Sequence, residues 1–177
     1  EWTDRPVAIE HLEMVADQIT RHYRNAGYPL AFAYVPAQDV NEGVVEIAVL
    51  EGRYDDIVLV NESRLKNDVA QHFLSVLEPG AVVEGKSMER ALALLADIPG
   101  IESSSRLEAG ETTGTTRLQV DVVDGKRIGG RIEADNFGND STGVARYATA
   151  LTLNNVSGHG DQLTLHVLTT GKGQVQG

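Results

Sequence analysis

Apolar residues in the first part of the chain recur at spacings of three and four. Leu12, Val15, Ala16, Ile19 and Tyr23 fall on one face of a helix predicted over Val7 to Ala26. Gly27 stops it, and Arg21, His22 and Arg24 occupy the last turn, where the helix dipole favours cations. Leu30 to Val35 then reads as a strand, Pro36 to Gly43 as a loop, and Val44 to Leu50 as a second strand. A longer series follows. Tyr54 to Val60 is strand-like, and Arg64 to Leu77 carries Leu65, Val69, Phe73 and Val76 at helical spacing before Pro79-Gly80 breaks it. Met88 to Ile98 is a strongly apolar helix with Ser87 as its expected cap, ended by Pro99-Gly100. Ile101 to Ala109 and Thr115 to Val123 are strands around a turn at residues 110–114. The order is strand, helix, helix, strand, strand, and the first series matches its last three elements. Residues 1–51 and 52–124 therefore read as tandem copies, the first lacking its opening strand and helix.

Beyond Asp124 the period changes from helical to alternating. Ile128, Gly130, Ile132 and Ala134 oppose Gly129, Arg131, Glu133 and Asp135. In Gly143 to Asn154, Ala145, Tyr147, Leu151 and Leu153 oppose Arg146, Ala148, Thr152 and Asn154. In Asp161 to Thr170, Leu163, Leu165, Val167 and Thr169 oppose Gln162, Thr164, His166 and Thr170. Consecutive segments of about ten residues, apolar on one face and polar on the other and separated by Gly/Asn/Asp turns, are the signature of transmembrane β-barrel strands.

Charge divides the chain at the same place. Residues 1–126 hold 22 acidic and 11 basic side chains, which accounts for the whole net charge of -11, while residues 127–177 hold four of each. The acidic part disfavours nucleic acid, whose affinity comes mainly from Lys and Arg, and simple adsorption to anionic membrane surfaces. A hydrophobic content of 41% argues against disorder. There is no cysteine, so disulfide and thiolate chemistry are excluded. No apolar run approaches the 18 or so residues of a membrane-spanning helix. Glu1 to Pro6 is no signal peptide, so an exported chain is expected to be a processed or trimmed one.

Several motifs carry a resemblance to a known family. Gly27-Tyr28-Pro29-Leu30-Ala31, Pro36-Ala37-Gln38, Gly43 and Val49-Leu50-Glu51-Gly52 resemble the first polypeptide-transport-associated (POTRA) domain of two-partner secretion transporters, the haemolysin and filamentous haemagglutinin exporters. Met88 to Ile101 resembles the second helix of their second POTRA domain, with Leu107, Gly110, Gly114 and Leu118 in its closing hairpin. Asp135-Asn136-Phe137-Gly138, Thr142-Gly143 and Asn155 to Leu163 resemble the opening strands and first turns of the family's barrel. The resemblance covers nearly the whole chain in the family's order.

The fold it implies is α+β: tandem POTRA domains (β-α-α-β-β) followed by the first antiparallel strands of an incomplete transmembrane β-barrel. The expected divisions are 1–51 for the C-terminal part of the first POTRA domain, 52–124 for the second, and 125–177 for three barrel strands. The family's plug helix, most of its sixteen-stranded barrel and its arginine-bearing inward loop have no counterpart here. Three strands alone leave edges that hydrocarbon does not tolerate. The implied activity is recognition and outer-membrane translocation of a secreted partner exoprotein through that partner's N-terminal secretion domain. It requires no cofactor, catalytic residue, metal, nucleic acid or small-molecule substrate. The location implied is the outer membrane of a Gram-negative bacterium, with the POTRA domains in the periplasm and lipid around the barrel. The alternative is a POTRA-containing barrel-assembly factor whose clients are outer-membrane proteins.

An extended client would add as a strand to a sheet edge, its main chain supplying affinity and side-chain pockets adding selectivity. Leu30, Phe32 and Tyr34 are the residues expected to shape such an edge and groove, although a half-buried strand explains them equally well. Asp135, Asn136, Gly138, Gly158, Gly160 and Asp161 are assigned to barrel turns; for the first three an Asx turn is preferred over a calcium site. The acidic surface is expected to favour basic client segments, with affinity falling as salt rises. Other constellations have bland readings. The histidines at 11, 22, 72, 159 and 166 lack metal-ligand spacing, and Ser103-Ser104-Ser105 has no nucleophile-elbow setting or paired base. Asp55-Asp56 and Glu10/Glu13 lack the apolar surroundings that raise a pKa for acid–base work. Gly129-Gly130 precedes no helix and so is no dinucleotide fingerprint.

Overall fold

The computed structural model describes residues 9–40, 43–138 and 143–171. Outside them lie Glu1 to Pro6, the expected helix start at Val7, Thr142 of the Thr-Gly pair, and everything beyond Gly171. The elements in chain order are α1 (Ile9–Asn25), β1 (Phe32–Tyr34), β2 (Ala48–Leu50), β3 (Arg53–Asn61), α2 (Asn67–Leu74), α3 (Gly85–Ala96), β4 (Ile101–Ala109), β5 (Thr115–Asp124), β6 (Ile128–Asp135), β7 (Ala145–Asn154) and β8 (Gln162–Gly171). The α+β class and the element order agree with the sequence pattern.

The middle unit is built on β3-β5-β4, with β5 central, parallel to β3 and antiparallel to β4. Thr116, Leu118, Val120 and Val122 alternate inward along β5. The last three pack in one core with Ala70 and Leu74 of α2 and Ala91 and Leu95 of α3. In the first unit β1 and β2 pair antiparallel, as β4 and β5 do, and α1 stands where α3 stands. The two units are joined closely: Leu30 packs against the middle unit's core, and Gly85 N–H donates to the Gly27 carbonyl at 2.9 Å.

Four elements differ from the sequence expectation, each for a local reason. The strand expected over Leu30 to Val35 contracts to Phe32–Tyr34. Ala31 N–H bonds the Tyr28 carbonyl (3.1 Å) and closes a turn with Pro29 in the position that its fixed φ suits. The strand expected over Val44 to Leu50 contracts to Ala48–Leu50. There the Gln38 amide takes the place of a strand partner, accepting from Glu46 N–H and donating to Glu46 O, both at 2.8 Å. The helix expected from Arg64 starts at Asn67, because Asn61 draws Ser63 and Leu65 into side-chain hydrogen bonds ahead of it. Ser87 does not cap α3, which begins at Gly85; its hydroxyl lies inside the first turn and donates to Glu84 Oε2 at 2.9 Å.

At the C-terminal end, β6-β7-β8 form an antiparallel sheet with no register shift. The register places Ile128, Leu153 and Leu163 in one row and Gly130, Leu151 and Leu165 in the next. The opposite face carries Arg131, Ala150 and His166, then Glu133, Ala148 and Leu168. Leu168 is the one large apolar side chain on that polar face, a departure from strict alternation. Ile132 is 83% exposed and the apolar row stands uncovered, which suits lipid better than water. Three strands do not close, and the sheet is the opening arc of a barrel. No described helix is long and apolar enough to cross a membrane.

Candidate functional site

Alternation along β1 buries Ala33 and turns Phe32 and Tyr34 out, with 50% and 37% of their surfaces exposed. Their rings stack, centroids 6.2 Å apart and planes 10° from parallel. Phe32 borders two hollows. One, of about 730 Å³, lies between α1 and the β1–β2 connection and is lined by Ile9, Leu12, Ala16, Tyr34, Val35 and Val45 among others. The other, of about 400 Å³, is formed with Leu30, Leu50, Leu107, Ala109 and Thr116. The structure thus brings Leu30 to Phe32 on one side and Tyr34 to Phe32 on the other. Leu30 is off the strand and half-buried against the middle unit, so its part is to wall the second hollow.

The backbone edge of β1 is less open than a strand of this kind would be alone. Ala33 N–H donates to Thr20 Oγ1 of α1 at 2.9 Å, and Arg24 Nε donates to the Ala31 carbonyl at 3.2 Å. Thr20 and Arg24 are four apart and so share a helix face. In an antiparallel ladder, bonded and non-bonded pairs alternate. The Ala33 amide points away from β2, and α1 already occupies it. Sequence reasoning missed this, since a threonine in a helix gives no sign that its hydroxyl reaches another strand.

A second edge is longer. Among the described residues β4 pairs only with β5, in unbroken register from Ile101↔Asp124 to Ala109↔Thr116. Gly110 N–H bonds Thr115 O, which fixes the parity: Ser103, Ser105 and Leu107 direct their amides and carbonyls outward. Among the described residues these groups have no hydrogen-bond partner. β4 has no proline, lysine or bulge, the usual protections of an edge. Its one cation, Arg106, is drawn across the sheet face to Glu108 (2.8 Å) and Asp121 (2.6 Å), and these carboxylates hold its guanidinium more firmly charged.

The turn residues fall into two groups at opposite ends of the β6–β7 hairpin and do not form one site. Asp135 accepts from Phe137 N–H at 2.9 Å, an Asx turn, and both its oxygens are engaged by Arg146, at 2.7 and 3.0 Å. The Arg146 guanidinium also lies 6.0 Å from the Phe137 ring centroid. A carboxylate bound this way is committed to a turn. Gly138 N–H closes it onto the Val144 carbonyl at 2.9 Å, and Asn136 is exposed.

At the other end, Asn155 to Asp161 fold on themselves and against the middle unit. Asn155 is 2% exposed with φ +48°; its amide donates to Asp161 O at 2.6 Å, and its Oδ1 accepts from Gly160 N–H at 3.1 Å. Asp161 Oδ1 accepts from the Ser157 amide (2.9 Å) and hydroxyl (2.7 Å), which hold its carboxyl below the usual range. Gly158 O accepts from Lys66 N–H at 2.8 Å. The motif Asn155 to Leu163 includes all of these except Lys66, but only Gly158, Gly160 and Asp161 were assigned to the turn, and its contact with Lys66 was missed. The available signal was the length of the turn, seven residues where a hairpin needs two to five.

Comparison with known proteins bears on both ends. Residues 2–52 match the POTRA domain, ShlB-type, and residues 114–176 match the haemolysin secretion/activation protein ShlB/FhaC/HecB family. The chain belongs to the two-partner secretion transporter family. The heme/hemopexin transporter protein HuxB of Haemophilus influenzae is 30% identical over 176 residues, 99% of this chain and 31% of that protein. The outer membrane transporter CdiB of Escherichia coli is 29% identical, over 90% of this chain and 27% of its own length. The solved CdiB structure from Escherichia coli superposes with a TM-score of 0.75 at 24% identity, covering 94% of this chain and 31% of that one, which shows the shared fold. The N-terminal domain of Omp85 from Thermosynechococcus elongatus gives 0.56 at 21% identity over 69% of this chain and 55% of that one. The chain thus spans about a third of the length of the curated relatives it matches. As a member of this family it is placed in the outer membrane, with its POTRA units on the periplasmic side. Both relatives are transporters.

Proposed function

We propose that this chain is the receiving end of a transporter that moves one secreted exoprotein across the outer membrane without catalysis. Residues 1–51 and 52–124 form the periplasmic units, the first incomplete, and 125–177 the first three barrel strands. The unfolded client is captured by strand addition. Phe32 and Tyr34 supply stacked aromatic surface and Leu30 walls the adjoining hollow. Main-chain pairing falls chiefly to β4, because α1 has taken part of the β1 edge. The observation that carries this reading is a long unprotected strand edge beside an exposed aromatic pair, joined directly to strands with an uncovered apolar face.

Capture of this kind suits a client that must move on, since main-chain bonds are indifferent to sequence and each is weak. The acidic character of residues 1–126 favours basic client segments. Asp135, Asn136 and Gly138 shape one turn of the barrel, and Gly158, Gly160 and Asp161 the other.

The test is to deplete the full-length protein in its own bacterium and compare the culture medium and the outer membrane. Transport predicts loss of one large exoprotein from the medium with outer-membrane proteins unchanged. A general fall in outer-membrane barrels would instead identify an assembly factor.

A further inference from the structure

The turn between β7 and β8 is larger than its connection requires. Two ten-residue strands in continuous register need only a short reversal, yet seven residues intervene and they are seated against another unit. Gly158 and Gly160 show how close the seat is. Both have positive φ, +83° and +76°. A Cβ at Gly158 would lie 2.8 Å from the Arg64 carbonyl oxygen, and one at Gly160 would lie 2.7 Å from Ile98 Cγ2. At Gly158 the obstacle is backbone, so no side chain fits there without moving the two parts of the molecule apart, whereas at Gly160 the Ile98 side chain would have to give way.

The polar contacts point the same way. Gly158 O receives the amide of Lys66, the residue that caps α2. Lys66 Nζ lies 2.9 Å from His159 Nε2. The short linker between the sheets is pinned on both sides. Arg64 N–H donates to Asp124 Oδ1 (3.0 Å) and Gly125 N–H to Gly100 O (3.0 Å). Asn154 donates through its amide to Arg127 O (2.7 Å) and through Nδ2 to Lys126 O (2.8 Å).

We propose that the Asn155–Asp161 turn is a latch that fixes the middle unit on the barrel in one orientation, and that it stays shut throughout transport. Gly158, Gly160 and Lys66 are then positioning residues. They touch no client, but set the direction in which β4 presents it to the barrel. The inference rests on the transport reading above.

These 177 residues hold no cysteine, so a Lys66→Cys/His159→Cys pair in the full-length protein, with any cysteine outside them replaced by serine, is addressable in cells with a short, cleavable thiol crosslinker. Crosslinked protein is expected to secrete as fast as uncrosslinked protein. Arrest on crosslinking, reversed by cleaving the linker, would show that the latch opens in each cycle and would overturn the proposal. Gly158→Val is expected to lower secretion severalfold while client binding to the periplasmic units is unchanged. Unchanged secretion would remove the positioning role. Ser157→Ala, which loosens the turn without a clash, is expected to act in the same direction and guards against a variant that misfolds. Amide exchange at Lys66 is read without any client: protection in the native protein, lost in Gly158→Val, is the latch's own signature. If the native protein binds no client but shows that signature, the transport reading fails and the joint stands. An unprotected Lys66 amide in the native protein would sink the latch itself.

Discussion

The amide of Ala33 in β1 donates to the hydroxyl of Thr20 in α1, across a distance of 2.9 Å. A helix thereby occupies a strand-edge group that would otherwise be open to another strand. Thr20 and Ala33 are both nearly inaccessible, 6% and 2% exposed. Thr20→Val keeps the shape and removes the acceptor. It is expected to destabilise the first unit by about 1–3 kcal/mol, the cost of leaving a buried amide unpaired. Denaturant unfolding measures it; no change would mean that the Ala33 amide is satisfied by water and the edge is open.

Aromatic contact and main-chain pairing separate under mutation. Phe32→Ala removes exposed surface, so stability should hold while client affinity falls by about tenfold, as at an aromatic hot spot. Ser105→Pro removes one outward amide from β4 without touching the ladder to β5. It is expected to weaken client binding with the fold intact. Titration of both variants with the secretion domain decides which edge carries the pairing. Unchanged affinity in Ser105→Pro would return the client to β1.

Leu165 and Thr164 are neighbours in β8 on opposite faces. Leu165→Arg places a cation on the face read as lipid-facing, at a cost of about 2–4 kcal/mol near the bilayer midplane. Thr164→Arg faces the polar side and is expected to be tolerated. Outer-membrane levels of the full-length protein should drop for the first and not the second. The reverse order would mean that the two faces have been assigned backwards.

The Asp161 carboxyl is held below its ordinary range, chiefly by the Ser157 hydroxyl and then by the Ser157 amide. A folded value below the unfolded one means that the stabilisation is complete above the ordinary carboxylate range. It is lost as pH falls through the folded value. Amide protection at Ser157 should therefore be flat through neutral pH and drop only in acid, below about pH 4. Asp161→Asn should show the acid-like exchange at every pH. Protection that declines already near pH 6 would point to a different group.

Much of the fold was legible because its periods are clean. The turn at residues 110–114 set apart β4 and β5, and the change of period after Asp124 identified the barrel strands. The shortened elements were not legible, because side chains replaced backbone partners over distances that no pattern encodes. Gln38 stands in for a strand beside Glu46, and Asn61 holds the chain out of α2. The same holds for the site. Phe32 and Tyr34 were visible as alternating aromatics, but Thr20 in the helix carries no mark of its contact with Ala33. The seat of Gly158 on Arg64 and Lys66 joins residues more than ninety positions apart, and only its glycines and its length hinted at it.

The most direct measurement places a photoreactive amino acid at Phe32 of the full-length protein in cells whose secretion is stalled. The account predicts crosslinks to one secreted exoprotein, within its N-terminal region, and their loss when secretion is released. Crosslinks confined to outer-membrane barrel precursors, with none to an exoprotein, would contradict it.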